Sequence, residues 1–203
     1  MSVQPKGRYS LAAYLELDRT AEERLEFWNG EVFDMSGASR EHARIEMNIA
    51  IHLGSQLAER GCHLFPANLR LLVPSMPPYR YGDLSALCGE PRFEQISGVD
   101  VLTNPELIVE VLSPSTEAYD RGDKFSHYQS ISTFREYLLV AQHRPHVTQL
   151  VRQEDSTWNH RGLGDVAASI RLVSLGCDLA VRDIYRNISF APEPSLWGNT
   201  PPR

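Results

Sequence analysis

One carboxylate stands alone in the run Leu107-Ile108-Val109-Glu110-Val111-Leu112, where every other side chain is aliphatic. A half-solvated strand would alternate polar and apolar residues, so this run predicts a strand covered on both faces with Glu110 buried. An unpaired carboxylate in such a place costs roughly several kcal/mol and tends to protonate unless a cation meets it. That cation can be a metal ion, or an arginine or lysine in a purely structural bridge. Two more ionisable groups lie in apolar contexts: Asp83 in the strand-like stretch Arg80–Cys88, and Lys124 on the helix predicted downstream. If the strands of Asp83 and Glu110 are neighbours, the two carboxylates repel by roughly several kcal/mol until a cation or a proton intervenes. Oxygen ligands with no His or Cys beside them suit Mg²⁺ or Mn²⁺ rather than zinc. Two carboxylates, a divalent ion and an ammonium are equipment for phosphodiester hydrolysis, with the lysine orienting water or neutralising charge on the phosphorus. Lys124 also sits one helical turn from Asp120, and its competing role is a surface pair worth about 0.3–0.5 kcal/mol. His42 and Glu46 are one turn apart on an earlier helix; without His-Glu-x-x-His they read as a surface pair or as groups behind the ligands.

The elements that must position these groups are legible in turn. Ser10 can cap a short helix within residues 1–20. Arg24–Trp28 and Glu31–Met35 flank Asn29-Gly30, a strong hairpin signal. From Ser39 to Arg60 the residues Ile45, Ile49, Leu53 and Leu57 recur every four positions and predict a long amphipathic helix stopping at Gly61. Cys62–Phe65, Leu69–Val73 and Arg80–Cys88 read as strands, the last with Asp83 in its first half. Gly89–Gly98 reads as a polar loop. A helix over Glu117–Ile131, capped by Thr116 or Asp120, places Asp120, Lys124 and Tyr128 along one side. Glu136–Val140, His146–Val151, Thr157–Arg161 and Ile170–Val173 follow as strands. The proline-rich segment Pro192–Arg203 predicts a loose tail.

At 203 residues, with 42% hydrophobic and 23% charged side chains, the chain predicts a single domain spanning residues 1–203. No apolar run reaches the length of a spanning helix, and Met1–Ser10 lacks the layout of a signal peptide, which points to a cytoplasmic protein with no membrane partner. Three cysteines at unrelated spacings predict reduced thiols. A net charge of -6 argues against a surface built for non-specific nucleic-acid binding, although a local site can still act on nucleic acid.

Asn104–Thr116, then Asp120, Lys124, Tyr128 and Arg135–Val140, together with Asn29-Gly30-Glu31 and Cys88–Phe93, closely resemble the bacterial Uma-type restriction endonuclease family, a branch of the PD-(D/E)xK nuclease superfamily. The resemblance covers most of residues 20–160. It implies an α/β (α+β) restriction-endonuclease-like fold, a mixed central sheet flanked by helices, with an N-terminal hairpin and long helix. It also implies a Mg²⁺- or Mn²⁺-dependent endonuclease cutting DNA, acting as a homodimer, with Asp83 and Glu110 as metal-holding acids and Lys124 as a lysine moved from the strand onto the next helix. The usual lysine position, two after the acid, holds Leu112. By the same resemblance Glu31 is an acid near the site and the Val111 carbonyl a further ligand. Gly82 departs from the proline usual before the aspartate; that proline stiffens φ and supplies no ligand. The alternative is a catalytically inert module of the same fold that binds nucleic acid or protein.

Overall fold

Leu107–Leu112 forms a strand buried along its whole length, as its aliphatic run predicts, near the middle of a six-stranded sheet. The structure is a computed structural model and describes residues 2–3, 8–35 and 37–190, so the proline-rich segment 192–203 lies outside the described residues. In chain order the elements begin with β1 (Ser2–Val3), α1 (Leu11–Thr20), β2 (Leu25–Trp28), β3 (Glu31–Asp34) and α2 (Arg40–Leu57). There follow β4 (Cys62–Pro66), β5 (Arg70–Leu71), β6 (Arg80–Tyr81), β7 (Leu84–Cys88), β8 (Phe93–Ile96), β9 (Val99–Leu102) and β10 (Leu107–Leu112). Beyond β10 come α3 (Glu117–Tyr119), a π-helical turn (Asp120–Lys124), α4 (Phe125–Tyr128), β11 (Glu136–Ala141), β12 (Val147–Arg152) and β13 (Trp158–Leu163). The last are β14 (Ser169–Leu172), β15 (Cys177–Ala180) and α5 (Val181–Ile184).

The central sheet runs β13-β12-β11-β10-β7-β4, with β10 and β11 parallel and the other pairs antiparallel. It is the mixed sheet flanked by helices that the family resemblance implies. The parallel pair needs a crossover, and the helical segment from Glu117 to Tyr128 supplies it. Side chains of β10 alternate between two cores, which is why the strand is apolar on both faces. Leu107, Val109 and Val111 face the core beneath Ile45, Ile49, Leu53 and Leu57 of α2. Ile108 and Leu112 face a second core built from Phe125, Tyr128, Phe134 and Tyr137, and Glu110 shares that face. α2 starts where predicted, with Ser39 Oγ accepting from the His42 N–H. Ser10 likewise caps α1 through the Ala13 N–H.

Several expectations are corrected. Arg80–Cys88 is not one strand: Arg80 and Tyr81 pair with β5 in a second sheet, Leu84 onward joins the central one, and Gly82-Asp83 is the step between them. Gly89–Gly98 is not all loop, because Phe93–Ile96 pairs with Val99–Leu102 around Ser97-Gly98, both at positive φ. That strand is largely exposed, so it carries no apolar signal. β15, pairing with β14, was not foreseen. The helix after Thr116 ends at Tyr128 rather than Ile131; Thr116 takes the N-cap position, but its side chain caps no N–H, and the Ser113 carbonyl and hydroxyl accept the Glu117 and Thr116 N–H groups.

The cysteines are also corrected. Cys62 and Cys88 stand directly opposite each other in the β4–β7 pair, with Cα atoms 3.9 Å apart, and form a disulfide; Cys177 is buried and free. Only strand register brings the pair together, and a spacing of 26 residues does not show it. Opening that loop with reductant, or with Cys88→Ser, is expected to cost about 3–4 kcal/mol by chain entropy. Urea denaturation with and without reductant measures it, and unchanged midpoints would remove the bridge from the stability account.

Candidate active site

Extending the β7–β10 register from Val109 opposite Leu84 by one step sets Glu110 opposite Asp83. The step is real in hydrogen bonds: the Asp83 N–H donates to the Val109 carbonyl at 3.1 Å, and the Val111 N–H donates to Asp83 Oδ2 at 2.6 Å. Both acids line one cavity of ≈ 590 Å³, with Lys124, Asp120, His42 and Glu46 also on its wall.

Lys124 comes from the π-helical turn. The wider turn keeps Asp120, Lys124 and Tyr128 on the side facing β10, and π-bulges of this kind recur at functional sites. Lys124 Nζ lies 2.8 Å from Glu110 Oε1 and 3.6 Å from Asp120 Oδ1, with 3% of its side chain exposed. The surface-pair role for Lys124 is thereby set aside. Burial disfavours its charge, but Glu110, Asp120 and Glu26 outweigh burial and hold its pKa well above the ordinary lysine value. The amine is therefore an ammonium at neutral pH. The Tyr128 hydroxyl, 2.9 Å from Glu110 Oε1 and 3.1 Å from the Tyr81 carbonyl, completes the surroundings of that acid. Tyr128→Phe is expected to lower stability by about 1–2 kcal/mol, read by chemical denaturation, because a buried acceptor loses its donor.

His42 Nε2 lies 3.3 Å from Asp83 Oδ1. Burial pushes Asp83 upward, yet the hydrogen bond and charge of His42, the Lys124 charge and the Val111 N–H outweigh it and hold Asp83 below the usual carboxylate range. The imidazole is stabilised in return: burial lowers its pKa, but Asp83 and Glu46 raise it more. Burial, reinforced by Asp83, pushes Glu46 up. Burial likewise raises Glu110 and Asp120, with Lys124 opposing and neighbouring carboxylates reinforcing. Asp83, Glu110, Asp120 and Glu46 thus share the wall with Lys124, His42 and the Arg24 guanidinium, whose charge also acts on His42 and Glu46.

Among the described residues no three His, Cys, Asp or Glu side chains gather as a group able to hold a metal ion by themselves. A zinc cage is therefore not built here. Mg²⁺ asks for less, one or two carboxylates with water completing the octahedron, and Asp83 and Glu110 meet that requirement.

Glu31 is exposed at the start of β3, paired with Trp28, and does not line the cavity; the hairpin acid that does is Asp34. Its role as a site acid is not carried forward. Val111 lines the cavity, and its N–H is the group seen to act, on Asp83. Sequence reasoning missed Asp34 and Arg24, which the hairpin brings to the wall, and gave Tyr128 no role beyond the core. Spacing four residues after Lys124 was the signal available for Tyr128.

Gly82 has a steric cause. A Cβ there would lie 2.9 Å from Ile108 Cγ2 and 3.6 Å from Glu110 Oε1. Gly82→Ala is expected to destabilise by about 1–3 kcal/mol through overpacking. Urea unfolding of Gly82→Ala, Ile108→Ala and the double variant tests this, since a true clash makes the double less destabilised than the sum.

The sequence profile of the Uma2 family, described as "Putative restriction endonuclease", matches residues 11–182. This chain belongs to the Uma2 family. Two Synechocystis relatives are the uncharacterized protein sll1609, 35% identical over 147 residues (72% of this chain and 82% of that protein), and the uncharacterized protein slr1290, 30% identical over 189 residues (92% and 96%). The crystal structure of an Anabaena variabilis protein titled a "putative nuclease belonging to DUF820" superposes with a TM-score of 0.69 at 16% identity, covering 89% of this chain and 98% of that one. At that identity the likeness establishes the fold alone. The Uma2 assignment agrees with the resemblance carried by residues around Glu110 and Lys124.

Proposed function

We propose that this chain is a Mg²⁺- or Mn²⁺-dependent endonuclease that hydrolyses DNA phosphodiester bonds. The observation that carries the reading is the β7–β10 register, which sets Asp83 opposite Glu110 at a cavity where a buried ammonium touches Glu110. Asp83 and Glu110 would hold the ion, with the Val111 carbonyl as a further ligand. A bound divalent ion supplies a polarised phosphoryl oxygen and a water of lowered pKa. The protein supplies the rest. Asp83 is fixed at both oxygens, by His42 and by the Val111 N–H, so its orientation is set before substrate arrives. Lys124, fully protonated, is placed to offset negative charge that builds on the phosphate in the transition state. It acts as a cation and not as a base.

The test is cleavage of plasmid DNA with Mg²⁺ or Mn²⁺ by the wild type, Asp83→Ala and Lys124→Ala. The wild type is expected to nick or cut, and both variants to lose about 100-fold or more; equal cleavage by all three would remove the assignment. An inert module of the same fold predicts no saturable divalent binding that Glu110→Gln abolishes, so calorimetric titration separates the two. A homodimer is part of the proposal, because cutting both strands calls for two sites, and sedimentation checks it. Among the described residues no helix is long and apolar enough to cross a membrane.

A further inference from the structure

The hairpin of β2 and β3 turns one carboxylate inward. Leu25 and Phe27 pack toward Tyr14 on one face, so Glu26 between them points to the other, where it is only 3% exposed. Its partners lie on β6, 55 residues downstream: Glu26 Oε1 accepts from the Tyr81 N–H at 2.8 Å, and Oε2 lies 3.9 Å from Nε of Arg80, a guanidinium with no exposed surface. Arg80 Nη1 donates to the Tyr79 carbonyl at 2.8 Å, while Nε and Nη2 have no hydrogen-bond partner among the described residues. What Glu26 holds is the backbone that presents Asp83. Tyr81, Gly82 and Asp83 follow one another along the cavity wall. Gly82 supplies no stiffness of its own, so the course of this step depends on how its neighbours are held. The Tyr81 N–H goes to Glu26, the Tyr81 carbonyl accepts from the Tyr128 hydroxyl at 3.1 Å, and the Asp83 N–H goes to the Val109 carbonyl at 3.1 Å. Val109 belongs to β10 and Tyr128 to α4; Glu26 is the contribution of the hairpin. Its charge also reaches the site, where it helps Glu110 and Asp120 to hold the Lys124 ammonium.

We propose that Glu26 is a positioning residue for the active site: its carboxylate oxygen, as acceptor for the Tyr81 N–H, fixes the step at Gly82 so that Asp83 is presented to a divalent ion in its binding geometry. The proposal rests on the endonuclease reading and adds to it a brace from the N-terminal hairpin, a residue that does not itself line the cavity. A carboxylate placed there for the hairpin alone would bond within the hairpin. One placed there to pair with Arg80 alone would meet it closer than 3.9 Å, whereas the short contact is to the backbone of the step. The Arg80 charge offsets that of Glu26, since a carboxylate buried with no opposite charge nearby is costly.

The experiment compares two paired substitutions in the full chain, each removing both buried charges so that neither is left unmatched. Glu26→Gln with Arg80→Met keeps an acceptor oxygen for the Tyr81 N–H; Glu26→Leu with Arg80→Met does not. Mn²⁺ binding is read by calorimetry without DNA. Hydrogen exchange of the Val111 amide, which donates to Asp83 Oδ2, is read by NMR. The Gln pair is expected to bind Mn²⁺ close to the wild-type affinity, and the Leu pair about 10- to 100-fold more weakly, the usual loss when a group behind a metal ligand is removed. The Val111 amide is expected to exchange faster in the Leu pair alone. In plasmid cleavage the Leu pair should need correspondingly more Mn²⁺ for its half-maximal rate while its rate at saturating Mn²⁺ changes little, a split that a loss of folded protein does not produce. Where the wild type binds Mn²⁺, equal affinity in the two pairs overturns the proposal; a Val111 amide that does not distinguish the pairs, or failure of either pair to fold, overturns it in any case. Faster Val111 exchange in the Leu pair with no saturable Mn²⁺ binding even in the wild type would instead overturn the endonuclease reading and leave Glu26 as the brace of Asp83.

Discussion

Lys124→Met is expected to abolish most DNA cleavage and, separately, to destabilise the fold. The activity loss, about 10²–10³-fold, follows from removing one preorganised cation beside the reacting phosphate. The stability loss follows from the partners left behind. Lys124 and Glu110 have side chains 3% and 4% exposed, so little solvent screens the pair. Without the ammonium, Glu110 keeps only the Tyr128 hydroxyl and faces Asp83 and Asp120. Removing one partner of a buried pair typically costs about 3–5 kcal/mol, because the other charge stays buried and unmatched. Replacing both partners avoids that penalty. Lys124→Met combined with Glu110→Gln should therefore recover most of the lost stability in urea denaturation and recover none of the cleavage. If the double variant is as unstable as the single, the charge is not the source of the cost and the ion-pair account is wrong.

A second large effect concerns divalent cations and pH. Folded-state pKa values of Glu110, Asp120 and Glu46 are raised, chiefly by burial. For these groups the native state binds more protons than the unfolded state between the ordinary and the raised values, so stability falls as pH rises through that window. His42, also raised, adds stability that is present below its unfolded pKa and lost as pH climbs through its folded value. Asp83 has the opposite sign: its depressed pKa contributes stability above the ordinary aspartate range, lost only as pH falls through its low folded value. The metal-free protein should therefore melt higher at about pH 6 than at about pH 8. Mg²⁺ or Mn²⁺ should add most at the alkaline end, about 2.7 kcal/mol at a hundred times the dissociation constant, and flatten the profile. Asp83→Asn should lose the cation effect and also flatten the pH slope, because the Asp83 charge helps to raise His42, Glu46, Glu110 and Asp120. A melting temperature in wild type that ignores both cations would mean the acids are not arranged to receive one.

The acid surplus explains both expectations. Five carboxylates, Asp34, Glu46, Asp83, Glu110 and Asp120, line a cavity with one guanidinium, one ammonium and one imidazole, an arrangement that costs stability unless a cation or a charged transition state arrives. The closeness of Ile108 to Gly82 belongs to the same economy of space, since a side chain at that step would press on the strand that carries Glu110.

How much of this was legible from letters varies by element. Glu110 was readable because a single carboxylate in an aliphatic run breaks a pattern that burial on both faces requires. α2 was readable because a four-residue apolar period has few other causes, and the β2–β3 hairpin because Asn29 and Gly30 both tolerate positive φ. β8 was not, since an exposed strand has no burial signal to leave. The sequence by itself determined that Glu110 is buried, which strands must be covered, and where α1 and α2 begin, because these follow from local propensity and from the cost of burying charge. Only the tertiary structure decided that Asp83 stands at a step between two sheets opposite Glu110, that a π-helical turn aims Lys124 at that acid, that Cys62 meets Cys88, and that Asp34 rather than Glu31 reaches the cavity. Each of those depends on strand register or on the turn of a helix against a sheet, and a shift of one residue, invisible to composition and spacing, sends the same side chain to the opposite face.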